Sequence, residues 1–120
     1  MVEAICRATF CTYPGGGCWG VRTEGFELGD FDMVQILSLQ TVLDTELEEL
    51  AADAGPKGIE FIRRLRATPG MGSYIMLNRN GFTFSMDNHR KASNINFKQF
   101  GEQVFRAFCE VYRFSEMSFT

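Results

Sequence analysis

One histidine, one tryptophan and three prolines stand among 120 residues, and each scarcity closes a route. His89 is the only imidazole a thiolate nucleophile could recruit, and nothing in the sequence places it beside Cys6, Cys11 or Cys18. A zinc site built on three cysteines and that histidine needs a tight pair of thiols. The spacing Cys6-x4-Cys11-x6-Cys18 reaches only the edge of that range, so no metal and no other cofactor is expected. No apolar run approaches the roughly 18 residues of a membrane span. Met1 to Ala4 lack a basic stretch leading into an apolar one, so no signal peptide is expected and a cytoplasmic location is. Without an oxidising compartment the four cysteines are expected to stay thiols, Cys6 and Cys109 as small buried hydrophobes. Cys11 and Cys18 flank a glycine loop, where a bridge is geometrically allowed but not deducible.

Phosphate-loop chemistry is missing as well. Pro14-Gly15-Gly16-Gly17 and Pro69-Gly70-Met71-Gly72 lead into strands, not into a helix N-terminus, and no Lys follows at the required spacing. They fit hairpin connectors.

Between residues 24 and 53 there is no Lys or Arg, against nine acids. Residues 57 to 113 hold ten bases and four acids, which gives 10 − 4 = +6 in a chain of net charge −3. Such polarity can pair internally, pair two copies head to tail as a homodimer, or offer either sign to a partner.

What is present is core material: 45% hydrophobic residues and 12 Phe, ample for one compact domain over residues 1–120. Val2 to Tyr13 alternates as a strand and Cys18 to Thr23 returns as a second. Glu24-Gly25 turns into a short third strand at Phe26 to Leu28. Asp32 and Gln35 then form a capping box for a helix whose stripe is Ile36, Leu39, Leu43, Leu47 and Leu50. Gly55-Pro56 stops it. Gly58 to Thr68 fits a strand through Ile59, Phe61, Leu65 and Ala67 and a helix through Ile59, Ile62 and Leu65. The echo of Arg7-Ala8-Thr9 in Arg66-Ala67-Thr68 favours strand. Ser73 to Asn78 and Phe82 to Met86 form a hairpin closed by Asn80-Gly81. A second capping box, Asn96 with Gln99, opens a helix with the stripe Phe97, Phe100, Val104, Phe108 and Val111. Ser115 to Thr120 carries no strong signal.

The expectation is an α+β fold: a single antiparallel sheet of five to six strands with two amphipathic helices, ordered β-β-(β)-α-β-β-β-α. Its halves, about 1–55 and 56–120, are pseudo-repeated, with Gly25 and Gly81 in equivalent turns. That order is similar to longin-like and profilin-like domains in topology alone, with no shared motif, and topology carries no function.

With no convergent chemistry, the expected class is a non-enzymatic protein-binding module: a stoichiometric inhibitor or adaptor of the kind found among phage anti-defence and toxin-immunity proteins. Its candidate contact is the acidic set Asp44, Glu46, Glu48, Glu49 and Asp53, which suits a basic partner surface. The alternative is a nucleic-acid-contacting module using Arg63, Arg64, Arg66, Arg90 and Lys91 gathered on one sheet edge, opposed by a pI near 5.1. A small ligand-binding domain or enzyme is the third option.

Overall fold

The computed structural model describes residues 5–12, 18–24, 27–86, 94–113 and 116–119, with side chains over 20–23, 27–86 and 100–113. Along the chain run β1 (Ile5–Thr12), β2 (Cys18–Glu24), β3 (Met33–Ile36), α1 (Asp44–Leu50), α2 (Gly55–Ala67), β4 (Met71–Asn78), β5 (Gly81–Met86), α3 (Asn94–Tyr112) and β6 (Glu116–Phe119). The described strands form one sheet in the order β3-β4-β5-β2-β1-β6. Every pairing is antiparallel except β1 with β6. The fold is therefore α+β, as expected, with three α-helices among the described residues where two were expected. Its element order departs from the one that prompted the topological likeness.

The two hairpins, β1–β2 and β4–β5, are where the alternation and turn residues place them. They lie side by side through β2 and β5. The second closes one residue earlier than expected: Asn78 pairs with Gly81, leaving Arg79-Asn80 as the two-residue turn. Asn78 Oδ1 accepts the Asn80 N–H at 2.8 Å, the side-chain turn that Asn favours. The two turn carbonyls are taken by other segments, Arg79 O by the Leu28 N–H and Asn80 O by the Thr23 N–H. Leu28 is buried in a loop and not in a third strand. Phe26 and Gly25 lie outside the described residues.

The third strand is Met33–Ile36, on residues that the capping box assigned to a helix start. Val34 pairs with Leu77 and Ile36 with Ile75 of β4, so these two bury by alternation while Met33 and Gln35 face outward. Nearby, β4 bulges: Met71 pairs with Met86 and Ile75 with Phe84, so three residues of β4 stand opposite Ser85 alone. The segment after β3 satisfies that bulge. Leu39 N–H donates to Ser73 O at 2.9 Å, and Gln40 Nε2 donates to Met71 O and Gly72 O at 2.6 Å each. A helix from Asp32 would strip the bulge of these donors.

Helix formation waits until Asp44, and α1 lasts two turns. Of the expected stripe, Ile36, Leu39 and Leu47 are buried, while Leu43 and Leu50 are exposed. Gly55, at φ 76, ends the 3-10 turn Ala52–Ala54. Pro56 then occupies the first turn of α2, where its missing N–H costs nothing. The expected stop is also a start.

Residues Gly58 to Thr68 are helical up to Ala67, not a strand, because α2 buries Gly58, Phe61, Ile62 and Leu65 at helical spacing. The first half thus follows its hairpin with a short edge strand and a two-turn helix, the second with the 19-residue α3, and the repeat ends at the hairpins. Helix α3 matches its expected stripe at Phe100, Val104, Phe108 and Val111, with Phe105 and Tyr112 also buried. Strand β6 falls in the tail that carried no signal.

One face of the sheet is covered. Val21, Val34, Ile36, Ile75, Leu77, Phe82 and Phe84 form a single core with Phe61 of α2 and Phe108 of α3. Phe61 sits at its centre, edge-on to Phe82, Phe108 and Tyr112 with ring centroids 4.9, 5.5 and 6.0 Å away. Burial pushes the Tyr112 phenol up to about 12 from its ordinary 10.0. A raised folded-state value means that the native state holds this proton where the unfolded chain releases it. Stability is therefore expected to be intact below pH 10 and to fall by about 2–3 kcal/mol as pH rises toward 12. Urea titrations of the wild type and Tyr112→Phe at pH 9 and 11.5 check this. The Phe variant should lose markedly less over that interval.

Candidate partner-binding surface

Seven residues long, α1 has a buried side fixed by Leu47, which is fully buried in the core. At 100° per residue, Asp44 and Glu48 fall on one flank of Leu47 and Glu46, Glu49 and Leu50 on the other. The two flanks meet different surroundings.

The Asp44–Glu48 flank faces the arginines of α2. Arg66 donates to the Asp44 carboxylate and, at 2.8 Å, to Val42 O just before the helix. The hydrogen bond from Arg66, with its charge, holds the Asp44 carboxyl below its ordinary value. Arg63 pairs with Glu48. Arg64, the third arginine of this run, bridges to Glu60 one turn back at 3.2 Å and to Glu110 of α3. The bond to Glu110 raises the Arg64 value further. These are exposed pairs and add little stability. Their consequence is electrostatic, because they cancel charges that sequence leaves open.

The basic alternative is altered accordingly. Arg63, Arg64 and Arg66 lie on a helix and not on a sheet edge, and each guanidinium is occupied by a carboxylate of this chain. Arg90 and Lys91 lie outside the described residues, as does His89.

On the other flank Glu46 and Glu49 are exposed and make no ion pair among the described residues, and Asp53 behind them is likewise unpaired. Leu43, at the N-cap, and Leu50, at the last turn, are 63% and 51% exposed. Sequence periodicity assigned both leucines to the core; the structure leaves them on the surface, beside these acids. Leu37 and Met33, just after and at the start of β3, are exposed too. Asp53 also borders a hollow with Asp30, Phe31, Asp32, Met33 and Arg79. There Arg79 reaches Phe31 O at 3.2 Å and the two aspartates Asp30 and Asp32 at 3.6 and 3.5 Å.

No group of three or more metal-ligating side chains occurs among the described residues, and no helix there is long and apolar enough to cross a membrane. Cys109 is half-buried, and burial, with Glu110 adding to it, raises its thiol above the ordinary value. Backbone pairing sets Cys11 opposite Gly20, two residues beyond Cys18, so these cysteines are not directly cross-strand. The side chains of Cys6, Cys11 and Cys18 lie outside those described. Comparison with known proteins returns no matching family model, no matching curated protein and no matching solved structure.

Proposed function

We propose that this chain is a non-enzymatic protein-binding module, acting as a stoichiometric inhibitor or adaptor, and that it engages a basic, partly apolar partner surface through the outer flank of α1. One observation carries this: two leucines more than half exposed, Leu43 and Leu50, bracket the carboxylates of Glu46 and Glu49, which make no ion pair among the described residues, on a helix too short to be stable alone. Exposed leucines supply contact area on desolvation, and uncompensated acids supply steering and register. The inner flank has spent its charge on α2, so the acidic contact narrows from five residues to Glu46, Glu49 and Asp53.

The test follows from that narrowing. Glu46→Lys/Glu49→Lys should slow association with the isolated partner by about 10-fold at low salt and flatten its salt dependence. Thermal stability should change by no more than about 0.5 kcal/mol, as for surface substitutions generally. Partner association as fast as the wild type's would remove this flank from the interface. Charge reversal at Glu48 would not report cleanly, because it also breaks the pair with Arg63.

A further inference from the structure

The second face of the sheet, with none of the described helices over it, carries its own hollow, about 410 Å3, bordered by Gly20, Arg22, Met76, Asn78, Gly81 and Thr83 among others. Strand register explains the hollow. Gly20, Thr83 and Met76 form one row across β2, β5 and β4, and Arg22, Gly81 and Asn78 form the next. Strands stand about 4.8 Å apart and same-face residues about 7 Å apart along a strand. Within this block of six positions Gly20 takes a corner and Gly81 the middle of the next row, so the two positions without side chains stand diagonal to each other and a trough runs between their neighbours.

The chemistry of the trough is one-sided. Arg22 is exposed and has no ion pair among the described residues, unlike Arg79 in the hollow beside β3, which is held by its own aspartates. Among the described side chains no carboxylate borders the trough. Asn78 Oδ1 is engaged by the Asn80 N–H, which leaves the amide nitrogen of Asn78 as a donor. Thr83, 8% exposed, adds a hydroxyl-bearing side chain to the lining. Donors with a single cation, beside the apolar Met76, recognise an anionic head on a small organic body. A guanidinium grips a carboxylate or phosphate through two parallel N–H bonds. The volume lies within the range of about 300–1,000 Å3 typical of small-molecule sites.

We propose that this trough binds a small organic anion bearing one carboxylate or phosphate group, with Arg22 holding the head and Asn78 and Thr83 fixing its orientation. The site is separate from the α1 surface and does not depend on it.

Amide chemical shifts of the full chain, titrated with benzoate, phenyl phosphate and benzyl alcohol, test this. Benzoate, phenyl phosphate or both should move Gly20, Arg22, Gly81 and Thr83, and the tighter of the two identifies the head group. Neutral benzyl alcohol should leave them still. Arg22→Gln should weaken the anion by about 10-fold, the loss of one charge-assisted contact, with an unchanged thermal midpoint. Arg22→Lys keeps the charge without the fork and should fall between. The proposal is overturned if neither anion moves these amides, if benzyl alcohol moves them equally, or if Arg22→Gln binds as tightly as the wild type.

Discussion

Gly81→Ala is expected to cost about 4 kcal/mol, which brings a chain of this size to the margin of folding. Gly81 opens β5 at φ 156 and lies against β2, so an added Cβ would stand 1.9 Å from Val21 O and 3.2 Å from Arg22 Cα. Both obstacles are backbone, and no rotamer change relieves them. Relief requires β2 and β5 to part at the Arg22–Gly81 pair, the seam that joins the two hairpins into one sheet. Urea denaturation followed by circular dichroism measures the loss. A variant within about 1 kcal/mol of the wild type would mean that the hairpins do not meet at this register.

Phe61→Ala should be nearly as damaging, about 3–5 kcal/mol. The Phe61 ring is fully buried between the sheet and α3, touching Phe82, Phe108 and Tyr112. Its removal leaves a cavity bounded by three aromatic rings that cannot all collapse inward. The same variant checks the assignment of α2. Were Gly58 to Thr68 a strand with Phe61 on a half-open face, the loss would fall below about 2 kcal/mol.

Much of the fold was legible in local pattern. Alternation and a Gly or Asn turn identified both hairpins, and the phenylalanine spacing of α3 identified that helix. The failures share a cause, which is that their deciding contacts are remote in sequence. Met33-Val34-Gln35-Ile36 satisfies a strand period, and Ile36 with Leu39 also satisfies a helical one. The exposed edge of β4 and the bulge that needs Leu39 and Gln40 select between them. Strand β6 pairs in parallel with a strand 111 positions earlier (Ile5 with Glu116), and four residues carry no mark of that.

The candidate surface was half legible. A window of nine acids without a base reads as an uncompensated charge, yet Arg63 and Arg66 lie one helix away and neutralise the inner members. Leu43 and Leu50 continue a leucine period and so look like core. Their exposure follows from α1 starting late and running only to Leu50, which leaves Leu47 as its single anchor. The trough on the open face depends on cross-strand register between β2, β5 and β4, which sequence does not specify.

Capture from the native host with quantitative mass spectrometry addresses the central claim most directly, using the wild type beside Leu43→Ser/Glu46→Lys/Glu49→Lys/Leu50→Ser and beside Arg22→Gln. The wild type and Arg22→Gln should each retain one protein at equimolar ratio, with a basic surface and with retention weakened by salt. The four-site variant, equally stable, should lose it. Retention of that protein by the four-site variant, or no equimolar protein on the wild type, would contradict the assignment of α1 as the partner-binding surface.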